Sequence, residues 1–202
     1  MSTKCILVLA IAASALTSSA ALAATGTPER VRGVIASAAA NSVTVDSYAG
    51  KPVTVGLTDK TAYLKVEKSS LDKIDKGSFI GTATKDVGGT QVALEVVIFP
   101  PSMRGTGEGH YPWDLQPEST MTNATVSTLA ESPKGREMSL TFKGENNKVI
   151  VPAGVPIVTF EPGDKAMLKP GAKVFVGTTK GADGTLTAAR VNVGKDGLTP
   201  PM

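Results

Sequence analysis

The sequence predicts an all-β protein made of two tandem small OB-like β-barrels joined by an ordered segment rich in glycine, proline and aromatic residues. Three observations carry that expectation. Short runs of valine and threonine alternate with polar residues, as in Val43/Val45 and Val53/Val55/Leu57, the period of two expected of a strand with one buried face. The second half of the chain repeats the first at a spacing of roughly 95 residues, a duplication and not an array of short repeats. Within each copy the order is three strands, a short helix and two strands, which is the order of an OB-like barrel.

The chain begins with Lys4, an apolar run over 5–15 and small residues at Ala21 and Ala23. This is the pattern of a cleavable secretory leader over 1–23, and it implies the periplasm as destination. The only cysteine, Cys5, lies within that leader. The exported protein would therefore have no disulfide and no thiolate ligand, and would rest on its hydrophobic core. The formal net charge is +3, with Lys4 contributing one unit, so there is no electrostatic footprint for nucleic acid. No later apolar run is long enough to span a bilayer, and the chain reads as not an integral membrane protein.

The first copy occupies 24–99. Strands are expected over 31–37, 42–47, 52–57 and 61–66, bounded by Asn41, Gly50 and Gly56. Ser69-Ser70-Leu71-Asp72 reads as a helix start capped by serine, and Gly77 ends that helix within two turns. A hairpin over 78–84 and 91–99 turns at Gly88-Gly89, where positive φ is suited. The second copy occupies 124–202, with strands over 124–131, 136–142, 147–151 and 155–160. Asp164 stands where Ser70 does, Leu168 where Ile74 does, and Asp183-Gly184-Thr185 where Gly88-Gly89-Thr90 does. The competing arrangement is a single sandwich shared by both halves.

Between the copies, 100–123 holds the only histidine, His110, and the only tryptophan, Trp113. Its glycines and prolines argue against a regular helix or strand, and its aromatic residues argue against a plain linker. It reads as an ordered connector packed where the barrels meet. As a binding surface it would use Arg104, Glu108, His110, Tyr111, Trp113 and Asp114, for an envelope protein or a small ligand. As a metal site it would use Met103, His110, Asp114 and Met121, a set with the imidazole and thioethers that copper accepts. Otherwise no cofactor is expected. The Gly105–Gly109 run lacks the following helix of a phosphate-binding loop. No nucleophile elbow accompanies His110, Asp114, Ser102 or Ser119, so no enzyme is expected. Asn123-Ala124-Thr125 reads as a turn into the next strand.

The tandem plan, together with Met-Arg-Gly-Thr-Gly-Glu-Gly-His-Tyr-Pro-Trp-Asp from Met103 and Ser-Thr-Met-Thr-Asn-Ala-Thr from Ser119, resembles a family of secreted Gram-negative proteins. Its members are often labelled metal ABC transporter permeases. The resemblance implies the two-barrel plan and export. A permease needs several membrane-spanning helices, which this sequence does not offer.

Overall fold

The first half of the chain lays down β1 (Thr27–Ala38), β2 (Ser42–Ser47) and β3 (Pro52–Gly56) as an antiparallel meander. β4 (Ala62–Lys68) follows, then a single 3-10 turn at Leu71–Lys73 and the hairpin of β5 (Phe79–Val87) and β6 (Thr90–Ile98). A short strand, β7 (Gly109–Trp113), precedes the second meander of β8 (Ser119–Ser132), β9 (Gly135–Phe142) and β10 (Glu145–Val151). β11 (Ile157–Pro162), a 3-10 turn at Lys165–Met167, β12 (Lys173–Lys180) and β13 (Leu186–Gly194) complete the copy. These assignments come from a computed structural model that describes residues 26–201, and the expected leader at 1–23 lies outside the described residues. The protein is all-β, and among the described residues no helix is long and apolar enough to cross a membrane.

The strand pairings interleave the two halves. The meander β1–β2–β3 is closed by β12 and β13 of the second half: Thr27 stands opposite Lys180 through to Val34 opposite Lys173, and β13 reaches β3 in parallel at Thr187 and Gly56. The meander β8–β9–β10 is closed by β5 and β6 of the first half. There Phe79 stands opposite Thr125 through to Lys85 opposite Ser119, and β6 runs parallel to β10 at Gln91 and Val92. Each ring of five strands is thus three strands from one half and two from the other. The division into one barrel over 24–99 and another over 124–202 does not describe this pairing. The chain crosses from ring to ring along β4 and β11.

β4 and β11 run antiparallel to each other, with Val66 opposite Phe160. Both hairpins carry a one-residue bulge, at Leu94 and at Ala189, where two residues oppose one and the strand bends. Aligning the bulges sets Glu95 against Arg190 and Val97 against Asn192. Through the parallel partners of these strands, Val158 then matches Leu64 and Phe160 matches Val66. Two equivalent residues that pair with each other lie on a local two-fold axis, which therefore passes between Val66 and Phe160.

Three apolar clusters follow. Ring one is filled by Val31, Ile35, Val45, Val174, Val176 and Val191, and ring two by Ile80, Val96, Val126, Met138, Leu140 and Val149. The 3-10 turns place Leu168 in ring one and Ile74 in ring two, a matched pair of plugs. Asp164 caps its turn by accepting the Ala166 N–H at 2.8 Å, with the Met167 sulfur against its own N–H. Ser70 occupies the equivalent position but makes no side-chain cap, against the expectation of a serine cap, and its turn is a single 3-10 turn, within the one or two turns expected. The third cluster, with Val66, Phe79, Val97, Phe99, Phe160 and Phe175, lies outside both rings and forms the seam between them.

A cut in the connector between β6 and β7, both strands of ring two, should not release the two halves of the chain from each other. Cleavage after Arg104, an exposed residue in that connector, should yield two fragments that co-elute under native conditions and separate only in denaturant. Fragments that part without denaturant, each retaining its β-sheet signal, would show that each half closes its own ring.

Candidate functional site

The central segment is more regular than its glycines and prolines suggest. Gly109 through Trp113 pairs with Asn123 through Ser119, so β7 and the start of β8 form a hairpin, and Ser119–Asn123 belongs to a strand and not to a connector. β7 has a partner on one side only, which is where a strand tolerates Pro112. Asn123 is likewise inside β8 and not in a turn. It is buried, and its amide nitrogen stands 3.0 Å from the Tyr111 hydroxyl and 3.2 Å from the Gly107 carbonyl. Gly107 has φ +60, and a Cβ there would meet that nitrogen at 3.0 Å. The glycine run serves a close backbone approach and tight turns.

Alternation along β7 sends its side chains to two places. His110 and Pro112 are exposed, whereas Tyr111 and Trp113 turn towards the seam. The Arg30 guanidinium lies 3.9 Å over the Trp113 ring, and Tyr111 and Phe175 approach that ring at 6.1 and 6.4 Å. Beside it the Asp114 carboxylate accepts two hydrogen bonds from Arg32, at 2.8 and 3.1 Å, and lies 3.6 Å from Arg30. Arg30 and Arg32 stand two apart on β1, so both project from one face of ring one onto the hairpin of ring two. The stacked cation contributes about 0.5–2 kcal/mol. Burial pushes the Asp114 carboxyl up, but the hydrogen bonds and charge of Arg32, with the charge of Arg30, outweigh it and hold the group below the usual carboxylate range.

The other expected site residues are similarly occupied. Arg104 donates to the Gly77 carbonyl at 2.5 Å and to the Thr125 hydroxyl at 3.3 Å. Glu108 accepts the Lys143 N–H at 3.1 Å. His110 Nδ1 lies 2.8 Å from the Thr122 hydroxyl, and its ring stacks on Phe142 at 6.3 Å. The set considered for copper does not converge. His110 pairs with Thr122 and Met121 with Tyr111, so the histidine and the thioether lie on opposite faces of the hairpin. Met103 packs into the seam and Asp114 is held by Arg32. Among the described residues, no three of His, Cys, Asp or Glu gather as a metal site.

Sequence reasoning missed the polar groups of the seam. Glu95 and Asn192 have no solvent exposure. Both Glu95 oxygens, both Asn192 amide atoms, Arg190 Nε and Trp113 Nε1 are buried without a hydrogen-bond partner. Burial pushes the Glu95 carboxyl well above its ordinary value, against a smaller opposing pull from Arg32. Burial also raises the Tyr111 phenol, while the charges of Arg30 and Arg190 ease it down. The one signal for Glu95 was a lone acid inside the apolar run from Val92 to Ile98.

A cleft of about 880 Å³ opens where β4 ends beside the C-terminal segment, between Glu67, Lys68, Pro156, Lys195, Leu198 and Pro201. On its rim Glu67 accepts from Lys65 at 2.8 Å and Lys195 at 2.9 Å, and Lys65 also reaches Glu161 across the β4–β11 pair at 2.7 Å. The hydrogen bonds from Lys65 and Lys195 hold Glu67 below its ordinary value. The alternating lysines and acids of this stretch form an ion-pair ladder on the surface. No protein-family model, curated protein or solved structure matches the chain.

Trp113→Ala removes the aromatic centre of this contact. Because the ring is only partly buried, the loss should fall near the lower end of the ~3–5 kcal/mol typical of core aromatic truncations. It should be read by chemical denaturation, and unfolding should broaden from one transition towards two. Asp114→Asn tests the ion pair through pH. The folded carboxyl is depressed, so its contribution is present above the unfolded value of about 3.9 and is lost as pH falls through the folded value. The variant should be less stable than wild type at pH 7, and the difference should close towards pH 2. A difference that is constant with pH would remove the Arg32 pair as its cause.

Proposed function

We propose that this is a non-enzymatic binding or adaptor protein of the bacterial envelope, exported to the periplasm, in which two OB-like barrels that exchange hairpins present one cleft to a partner. The observation that carries the reading is the cleft at the end of β4, whose volume lies in the range of ligand sites. Pro156, Leu198 and Pro201 give it apolar walls, while Glu67, Lys68, Lys195 and Thr199 give it a polar rim. This is the mixture that lets apolar contact supply affinity and a few polar groups fix orientation. The partner is an envelope protein or a small ligand.

The packing of the central hairpin supports placing the contact at the cleft. Tyr111 and Trp113 are engaged by Arg30, Asn123 and Phe175, so neither is disposed as a protruding anchor. Phe79, Phe99, Phe142, Phe160 and Phe175 are all buried, and Tyr48 stands as the one largely exposed tyrosine or tryptophan among the described residues, short of the succession of rings on which single-stranded nucleic acid stacks.

A photo-crosslinking side chain at Lys68 should give a discrete adduct in the native host, and one at Asp59, outside the cleft, should not. Thr199→Trp, which fills the cleft from an exposed position, should abolish the adduct and leave the unfolding midpoint unchanged. Identical labelling from both positions, or an adduct indifferent to Thr199→Trp, would refute the cleft as the contact.

A further inference from the structure

Glu95 lies in the middle of β6 with no solvent exposure and no hydrogen bond to either carboxylate oxygen. The bulge at Leu94 decides where it points: Ala93 and Val96 fall in the core of ring two, and Glu95 falls with Val97 and Phe99 on the side of the seam. Its neighbours across the sheet are Ala83, Met121 and Tyr111. Its mate under the local two-fold axis is Arg190, also a seam residue with an unbonded buried nitrogen.

Among the described residues, the charged and titratable groups of the seam are Arg30 and Arg32 from β1, Arg190 from β13, and Tyr111 and Asp114 from the β7 hairpin, with Arg104 at its edge, 6.0 Å over the Phe79 ring. β5, β11 and β12 bring Ala83, Phe160 and Phe175, while His110 faces the other way. Arg32 is the one cation whose charge acts on Glu95, and it already holds Asp114 through two hydrogen bonds. An ionised carboxylate here would have neither water nor a hydrogen-bond donor, which strongly favours the uncharged acid.

We propose that Glu95 carries a proton in the closed seam at neutral pH, and that its ionisation drives the facing sheets of the two rings apart, making the seam a pH-sensitive joint that is tight in acid and loose in alkali. The sign follows from linkage. Burial raises the folded value above the unfolded one, so the stabilisation is complete below the unfolded value of about 4.3. It declines as pH rises and is gone once pH passes the folded value. Across that window one proton changes the unfolding equilibrium about tenfold per pH unit.

The test is infrared spectroscopy of the whole protein in D2O, paired with denaturation from pH 5 to 9 read by Trp113 fluorescence. Wild type should show a protonated-carboxyl band at pH 7 that Glu95→Gln lacks. The wild-type midpoint should fall across that range, and the variant, which keeps the shape without the charge, should lack this fall. Absence of the band from wild type at pH 7 overturns the proposal, as does a band and a pH profile that the variant shares. Should Glu95→Gln not fold, wild type decides alone. A band that disappears as Trp113 fluorescence shifts to the red supports the joint, and a missing band, or one that titrates without that shift, overturns it.

Discussion

Hydrogen bonding at strand edges is the constraint on which the rest of this structure depends. Each meander, β1–β2–β3 and β8–β9–β10, has two open edges, and an open edge is both unsatisfied backbone and an invitation to aggregation. In each case the hairpin that closes those edges comes from the other half of the chain. With no cysteine among residues 26–201, no disulfide can hold the halves together. The exchange takes that role, since separating the halves would mean unpairing strands and not merely parting surfaces. β4 and β11, which carry the chain across, become the floor of the seam, and the apolar contact of Val66 and Phe160 on the two-fold axis sits at its centre.

The central hairpin breaks that symmetry. It is added to ring two alone, and it reaches ring one through Arg30, Arg32, Trp113 and Asp114. The two acids of this region are pulled in opposite directions. Asp114, held by arginines at the rim, ionises more readily than usual, whereas Glu95, enclosed without a donor, ionises less readily. By linkage the first weakens the fold in strong acid and the second weakens it towards alkali. The seam is therefore tightest at a pH between the two folded values. Equivalent positions in the two rings hold Glu95 and Arg190, so opposite charges stand on either side of the axis.

Much of this was legible in the sequence where pattern and local chemistry agree. The strand expected over 42–47 is β2, Ser42–Ser47, and the hairpin expected at Gly88-Gly89 turns there with both glycines at positive φ. Leu168 and Ile74 are buried as matched plugs, and Asp164 caps its turn. The exchange was not legible, because each half holds a meander and a hairpin of its own, and local pattern does not say which meander a hairpin closes. The β7 strand was hidden by Pro112 and the flanking glycines, whose usual meaning an edge strand overrides. Arg30, Arg32 and Glu95 were hidden for another reason. A charged residue on a strand reads as solvent-facing, and only the second ring, packed against that face, makes it part of an interior.

The exchange of hairpins is the central claim, and cross-strand nuclear Overhauser effects test it most directly. In the exchanged arrangement Val31 of β1 is paired with Val176 of β12, and Thr122 of β8 with Thr82 of β5. Thr82 and Val176 are equivalent positions of the two hairpins, so an unexchanged chain would give the opposite pairing with the same secondary structure. Backbone contacts from Val31 to Val176 and from Thr122 to Thr82 are the result this account predicts. Contacts from Val31 to Thr82 and from Thr122 to Val176 would contradict it.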